Sequence, residues 1–285
     1  MSDTVGDLLK EVTDALRAGG IDNAHWEARY LLQDAIGLTP TDFVLATGQR
    51  PAECDRVRDW VRRRVSGEPL SRIAGTRCFR GHDFYLSPGT LDPRDDSEVL
   101  VDACLSELPE QDVARIADIG TGTGCLLISI LAERPKVSGV GVDLSPDAAA
   151  TAKRNAAALG FSDRAHFAVG SWTAMLPDAG FDLILSNPPY IRRDVIPTLD
   201  VSVREYDPIL ALDGGDDGLD AYRALARDMH RVLKPGGWLA VEIGWDQGES
   251  VSTLLMRAGF AQMRLIRDAG DRDRVVMVRN TALSG

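Results

Sequence analysis

The sequence predicts a doubly wound α/β domain preceded by a small helical domain. From about residue 94 to the C-terminus, apolar strand-like runs alternate with helical patterns, which is typical of a mostly parallel sheet with helices on both faces. Residues 3–66 show helical periodicity alone. Between these two parts, glycines and prolines punctuate two short strand-like runs. The expected domains are a helical domain (1–66), a linking β-hairpin (67–92) and the α/β domain (93–285).

The helical domain opens with an apolar stripe at helical spacing, formed by Val5, Leu8, Leu9, Val12 and Leu16. Further helical segments are predicted near 23–36, 40–47 and 51–66. The hairpin strands are predicted at 77–79 and 83–86.

Strands of the α/β domain are predicted near 114–119, 137–142, 165–169, 181–186, 237–243, 261–267 and 273–279. The last two runs are joined by a short turn containing Gly270, so they are expected to form a closing hairpin with one antiparallel strand in the sheet. The longest irregular stretch, about 190–217, is expected to be either a functional loop or disordered.

Charge and hydropathy argue against several classes of protein. The formal net charge of −11 disfavours a protein that mainly binds phosphate backbones, because that task usually needs a basic face. Apolar runs do not approach the roughly 18 residues of a membrane span. The start, Met1-Ser2-Asp3-Thr4, lacks the basic-then-apolar pattern of a signal peptide. We expect a cytoplasmic monomer with no membrane partner and no stable nucleic-acid partner.

Cysteines and histidines are scattered and show no metal-ligand spacing. They are Cys54, Cys78, Cys104, Cys125, His25, His82, His166 and His230. We therefore expect reduced structural thiols and no metal site.

Asn187-Pro188-Pro189-Tyr190 directly follows the strand-like run 181–186 and is suited to holding a flat NH2 group. The Asn187 side-chain oxygen can accept one N–H, and the Pro188 carbonyl can accept the other. Adjacent prolines fix φ and supply no N–H of their own, while Tyr190 offers a ring for stacking. The alternative is a Pro-Pro turn that merely closes a strand.

A glycine loop, Gly120-Thr121-Gly122-Thr123-Gly124, joins the first strand of the α/β domain to the helical run 125–132. Such a loop lets backbone approach a ligand closely. Asp143 ends the second strand, where its carboxylate can accept both hydroxyls of a ribose. Loop and acid together predict a nucleoside ligand, and the GxGxG spacing favours S-adenosylmethionine over NAD.

Two further residues at strand ends have open roles. Trp172 follows the third strand and is suited either to core packing or to contact with an adenine ring. Asp118 precedes the glycine loop and can either fix the loop's geometry or meet the cofactor's amino group.

Several short segments of the sequence match the motifs of one known family. They are Gly67–Leu70, Gly75–Arg77, Leu91–Arg94, Ser97-Glu98, Asp118–Gly124, Asn187–Tyr190, Tyr206–Pro208, Ala211-Leu212, Gly215–Gly218 and Glu242–Gly244. In this combination the chain resembles, over nearly its whole length, the release-factor glutamine methyltransferases. These are the PrmC/HemK family of class I S-adenosylmethionine-dependent enzymes.

The resemblance implies a Rossmann-like, seven-stranded, mostly parallel sheet with an antiparallel C-terminal strand. It also implies that the small N-terminal helical domain, residues 1–66, recognises the substrate. It implies methyl transfer from S-adenosylmethionine to the glutamine of the Gly-Gly-Gln loop of class-1 peptide chain release factors, which modulates translation termination. The products are N5-methylglutamine and S-adenosylhomocysteine.

Residue roles also follow from the resemblance. Gly120, Thr121, Gly122, Thr123, Gly124, Asp143, Trp172 and Asn187 are expected to bind the cofactor. Asn187, Pro188, Pro189 and Tyr190 are expected to be catalytic: Asn187 and Pro188 orient the glutamine amide, and Tyr190 packs on it. Two positions depart from the family pattern, because Asp95 stands where a proline is common and Ser171 where an acid is common.

The residues alone leave three other functions open. A nucleic-acid adenine-N6 methyltransferase also acts on a planar amine, but it must extract the base and usually has a basic surface. An NAD-dependent oxidoreductase would use the glycine loop and Asp143, yet it leaves residues 187–190 unexplained. A non-enzymatic nucleoside-binding adaptor would use the helical domain to recruit a partner.

Overall fold

The computed structural model describes residues 4–50 and 53–281. The chain divides into two compact units, the first comprising residues up to Thr76 together with Asp200–Tyr206, and the second comprising the remainder. Met1–Asp3, on which the expectation about the N-terminus depends, lie outside the described residues, as do 51 and 52. The boundaries 1–66, 67–92 and 93–285 stay predictions.

The helices are α1 (Val5–Ala18), α2 (Ala24–Ile36), α3 (Pro40–Ala46), α4 (Cys54–Val65), α5 (Leu70–Ala74), α6 (Glu98–Ser106), α7 (Cys125–Glu133), α8 (Pro146–Ala158), α9 (Val201–Arg204), α10 (Ile209–Leu212), α11 (Asp220–Val232) and α12 (Gly248–Arg257). The strands are β1 (Thr76–Phe79), β2 (His82–Tyr85), β3 (Ala114–Ile119), β4 (Val137–Asp143), β5 (Ala165–Val169), β6 (Phe181–Ser186), β7 (Leu233–Glu242), β8 (Ala261–Arg267) and β9 (Asp273–Arg279).

The first unit is helical, as predicted. A capping box starts α1, because the Asp7 N–H donates to Thr4 Oγ1 at 3.1 Å and the Thr4 N–H donates to Asp7 Oδ2 at 3.2 Å. The predicted stripe is confirmed: Val5, Leu8, Val12 and Leu16 are buried, and Leu9 packs at the edge of their cluster. Helix α5, inside the segment predicted as a hairpin, was not predicted.

The second unit contains the predicted seven-stranded sheet. Strands in the described part of the chain lie in the order β5-β4-β3-β6-β7-β9-β8. Every pairing from β5 to β7 is parallel, whereas β9 is antiparallel to both β7 and β8. The chain proceeds from β3 outward through β4 and β5, then returns to the other side of β3 as β6. A topological switch point therefore lies between β3 and β6, where open α/β sheets bind ligands.

The predicted strand positions are confirmed, although β7 begins earlier than predicted, at Leu233. The predicted hairpin is confirmed as the pair β1–β2. The stretch 190–217 is more regular than predicted, because it contains a 3₁₀ turn at Ile196–Thr198, the short helices α9 and α10, and a bridge between Ile191 and Asp213. Such single turns are too short to leave a periodic pattern in the sequence.

Apolar side chains fill both faces of the sheet. One cluster includes residues of α6 and α7, and the other includes residues of α11 and α12. This arrangement explains why β3 and β6 are mostly apolar, with only Arg115, Asp118 and Asp182 charged, since both of their faces are covered. Among the described residues, the helices are too short or too polar to cross a membrane.

Replacing Leu131 of α7 by alanine should lower the free energy of unfolding by about 2–5 kcal/mol, because this side chain is fully buried and its loss leaves a cavity. Urea unfolding followed by circular dichroism measures the change. Val113, which is 83% exposed, supplies the control, and Val113→Ala should change stability by less than about 0.5 kcal/mol. Equal losses in the two variants would contradict this packing.

Candidate active site

A cleft lies at the carboxyl ends of β3, β4 and β6, entirely within the second unit. About 1050 Å³ of space, part of it open to solvent, lies between its walls. The lining residues are Gly89, Leu91, Pro93, Arg94, Ser97, Ile119–Thr123, Cys125, Leu126, Val142–Leu144, Gly170–Trp172, Asn187–Pro189, Leu210 and Ala211. Loops that follow β3, β4, β5 and β6 supply much of this lining, and residues 89–97, the start of α7 and α10 supply the rest.

The glycine loop turns sharply at the end of β3. Gly122 has φ of 55° and Gly124 has φ of 80°, values that side-chain-bearing residues adopt at a cost. A Cβ on Gly122 would meet nothing within 4 Å, so open space lies beside its backbone. Gly124 differs, because a Cβ there would lie 3.1 Å from Ala152 Cβ. Gly124 is not among the lining residues, and its backbone lies close to Ala152 of α8; its expected role in cofactor binding stays a prediction.

Asp143 lies at the end of β4 and lines the cleft, as predicted. The Gly122 N–H donates to its Oδ2 at 2.9 Å, and the Ser145 N–H donates to its Oδ1 at 2.8 Å. Burial raises the pKa of this carboxyl, although the backbone N–H groups of Ser145, Gly122 and Leu144 oppose the shift. Each oxygen keeps a further lone pair, so the oriented carboxylate can still accept hydroxyl groups of a ligand.

Asp118 is fully buried and fixes the geometry of the glycine loop. Thr121 Oγ1 donates to Asp118 Oδ2 at 2.7 Å. Asp118 does not line the cleft, and this contact favours the structural one of its two open roles. Burial raises the pKa of Asp118 to about 7; the Thr121 hydrogen bond lowers it and the nearby Asp143 raises it further.

Trp172 lies between the core and the cleft, and its contact with an adenine ring stays a prediction. Its side chain packs against the core cluster that includes α11 and α12, and the residue also lines the cleft. Its backbone is left-handed, with φ of 50°. Ser171 is exposed at the cleft wall. The other departure, Asp95, begins a 3₁₀ turn and accepts a hydrogen bond from Arg77 at 2.8 Å.

The segment after β6 is divided between cleft and core. Asn187, Pro188 and Pro189 line the cleft, whereas Tyr190 is not among the lining residues. The Tyr190 ring packs against the same core cluster as Trp172, and burial raises its pKa to about 12. Gln247 Nε2 donates to the Tyr190 carbonyl at 3.1 Å and secures the end of the segment. The role of Tyr190 as a stacking surface for an amide stays a prediction.

The Asn187 amide is held from behind. Its Nδ2 donates to Ser97 Oγ at 3.1 Å, which leaves Oδ1 as the acceptor end of the side chain. Glu242, the last residue of β7, is 1% exposed, and both Ser97 and Asn187 act as hydrogen-bond donors beside its carboxyl. The arrangement can present a neutral acceptor to a planar NH2 group in the cleft.

Sequence reasoning assigned no role to several residues that the structure brings to this site. Ser97 and Arg94 line the cleft, and Glu242 lies directly behind it. Arg94 also donates a hydrogen bond to the buried Asp207, which joins two wall segments. A charged residue at the end of the apolar run before Ile243 was the available signal for Glu242, because acids are rarely buried without a partner.

Cys54, Cys78, Cys104 and Cys125 are free thiols. Within residues 4–50 and 53–281, His, Cys, Asp and Glu side chains form no group of three that could hold a metal ion.

The architecture and cleft define a class of protein. A family model described as a methyltransferase domain matches residues 110–266, and one described as the PrmC N-terminal domain matches residues 7–75. The crystal structure of a methyltransferase from Pyrococcus furiosus is similar in fold, with a TM-score of 0.54 and 16% identity over 74% of this chain and 94% of that one. The second unit has a class I methyltransferase fold.

Full-length relatives identify the family. A release factor glutamine methyltransferase from Caulobacter vibrioides is 43% identical over 267 residues, 93% of this chain and 92% of that protein. One from Agrobacterium fabrum is 42% identical over 283 residues, 97% of each chain. The chain belongs to the release factor glutamine methyltransferase family.

Replacing Asp118 by asparagine should make the free energy of unfolding less dependent on pH. Its pKa rises from 3.8 to about 7 on folding, so its stabilising contribution is complete below pH 4 and is lost as pH rises through about 7. We expect Asp118→Asn to gain up to about 4 kcal/mol, relative to wild type, between pH 4 and pH 8.

Urea unfolding of wild type and variant at both pH values measures this difference. The exposed Asp112 provides a matched control, since Asp112→Asn should leave the pH dependence of unfolding unchanged. A stability difference between Asp118→Asn and wild type that does not vary with pH would show that Asp118 does not titrate in this range.

Proposed function

We propose that this protein transfers the methyl group of S-adenosylmethionine to the side-chain amide nitrogen of the glutamine in the Gly-Gly-Gln loop of class-1 peptide chain release factors. The relatives named above support this reaction and substrate. The observation that carries the proposal is the oriented Asn187 amide beside Pro188 in the cleft wall. The protein would act in the cytoplasm, as a monomer, and thereby modulate translation termination.

The residues of the cleft fit S-adenosylmethionine. Open space beside Gly122 admits a ligand against the backbone, and the Asp143 carboxylate has lone pairs left for the two ribose hydroxyls. The partly buried Trp172 supplies an aromatic surface for the adenine ring. When bound, S-adenosylmethionine supplies an electrophilic methyl group.

Glutamine is a weak nucleophile because its nitrogen lone pair is delocalised into the carbonyl. The task of the chain is therefore to position that nitrogen. Asn187 Oδ1 would accept one N–H of the substrate amide, and the Pro188 carbonyl would accept the other. Alignment of this kind can lower a barrier by about 7–11 kcal/mol.

Both acceptors also act during the reaction. Positive charge develops on nitrogen as the methyl group arrives, and fixed carbonyl dipoles stabilise that charge more than they stabilise the neutral amide. The nitrogen then loses a proton to solvent. No covalent intermediate with the protein is needed.

Two competing functions account for fewer features of this chain. A nucleic-acid adenine methyltransferase needs a basic binding face, which a net charge of −11 disfavours. An NAD-dependent oxidoreductase would use Asp143 but would have no use for an oriented Asn187 amide.

Transfer of labelled methyl from S-adenosylmethionine tests the proposal. The acceptors are a purified, unmodified class-1 release factor, the same factor with Gln→Ala in its Gly-Gly-Gln loop, and duplex DNA. We expect label on the intact release factor alone. Label on DNA would support an adenine methyltransferase instead. Equal labelling of the glutamine-less factor would move the reaction to another protein site.

Asn187→Ala should reduce kcat by about 10²- to 10³-fold, because it removes an acceptor that acts on the developing charge. Cofactor affinity should change by less than about threefold, since the proposed contact of Asn187 is mainly with substrate. Methyl-transfer kinetics and calorimetric titration with S-adenosylmethionine measure the two effects.

Asp143→Asn is the matched contrast. It should weaken cofactor binding by about 10- to 100-fold, the loss expected for hydrogen bonds to a charged group, and change kcat far less at saturating cofactor. The role assignments would be wrong if both variants lost turnover and cofactor affinity in the same proportion.

A further inference from the structure

Glu242 lies behind the amide site on the strand next to Asn187. β6 and β7 are parallel neighbours, and Ser186 is paired with Val241. The next residues along the chain are Asn187, just beyond the end of β6, and Glu242, the last residue of β7. This register brings a carboxyl group to the rear of the Asn187 side chain.

Ser97 and Asn187 both act as hydrogen-bond donors to the Glu242 carboxyl group. Asn187 Nδ2 donates to Ser97 Oγ at 3.1 Å, so the Ser97 oxygen is an acceptor and its single hydrogen is left to donate elsewhere. Ser97 and Asn187 both favour the ionised carboxyl as donors. An ionised carboxylate only accepts hydrogen bonds, so Glu242 requires its neighbours to present hydrogens to it.

A contribution to folding stability does not explain why a glutamate is buried at position 242. Burial raises the pKa of Glu242 to about 7, while Ser97, Arg274 and Asn187 lower it and Asp96 raises it. Its Oε2 atom is buried, and no side chain or backbone group in the described part of the chain hydrogen-bonds to it. Burying a charge with an unsatisfied oxygen costs free energy.

We propose that Glu242 is a positioning residue for methyl transfer, which with Ser97 holds the Asn187 amide so that Oδ1, and not Nδ2, meets the nitrogen that receives the methyl group. This inference rests on the proposed function. A reversed amide would set an NH2 group against the NH2 group of the substrate and could accept nothing from it. Glu242 itself touches neither reactant and acts through Asn187.

Glu242→Gln separates positioning from simple packing. Glutamine has nearly the same shape, but its own NH2 group can donate to Asn187 Oδ1 and so favours the reversed amide. We expect kcat to fall about 10- to 100-fold, as for loss of one hydrogen bond to a charged group. The free energy of unfolding at pH 8 should be unchanged or higher, because a buried charge is removed.

A double-mutant cycle with Asn187→Ala gives the decisive readout. If Glu242 acts through Asn187, Glu242→Gln should change kcat by less than about twofold once the Asn187 amide is absent. Glu249→Gln, the same substitution at an exposed position of α12, should have no effect in either background. Ser97→Ala is a second test variant. It should lower kcat in the wild-type background and cause no further loss in the Asn187→Ala background.

The pH dependence adds an independent measurement. Wild-type kcat should rise with pH through about 7 as Glu242 ionises, and this limb should be absent in Glu242→Gln. The charged and titratable groups that couple to Glu242 are Arg274, Asp96, Tyr190, Tyr222 and Cys125.

The outcomes separate this inference from the proposed function. Failure of the wild-type protein to methylate any release factor would reject the function. Normal wild-type activity with an equal loss from Glu242→Gln in both backgrounds would reject only the positioning role. A loss of activity matched by a loss of unfolding free energy would assign Glu242 and Ser97 to structure alone.

Discussion

The parallel pairing of β3 with β6 is the interaction on which the site depends. Residues 116–118 pair with 183–185, and just beyond the ladder Ser186 Oγ donates to the Ile119 carbonyl at 2.6 Å. β3 leads into the glycine loop and β6 leads into Asn187. Because the chain order reverses between these strands, their connecting helices diverge and leave a crevice. The glycine loop and Asn187 therefore share one edge of the sheet.

Two buried acids stand behind that edge. Asp118 holds the glycine loop through Thr121, and Glu242 stands behind Asn187. Burial raises the pKa of each to about 7, so both cost stability when ionised. A reaction on a weak nucleophile requires rigidly placed donors and acceptors in the cleft wall. Those groups must in turn be held by residues behind the wall. Asp118 and Glu242 are therefore buried at the two places where they hold the geometry of the cleft wall.

Much of this protein was predictable because its local signals agree with its fold. The strands β3 to β6 were correctly predicted, since each is a short, mostly apolar run of the kind that covered parallel strands show. The glycine loop and Asp143 were correctly placed in one cleft, because both follow adjacent parallel strands. The short helices α9 and α10 were missed, since four residues do not establish a period.

The sequence by itself determined the layered α/β architecture, the helical first unit and the segments that carry chemistry, because hydrophobic periodicity and glycine or proline positions act locally. Only the tertiary structure decided which of those residues face the cleft. Gly124 and Tyr190 pack against neighbouring residues and are not among the residues that line the cleft, while Ser97, 90 residues before Asn187, accepts a hydrogen bond from the Asn187 amide. Such partnerships arise from strand order and register, which bring together residues that no local pattern connects.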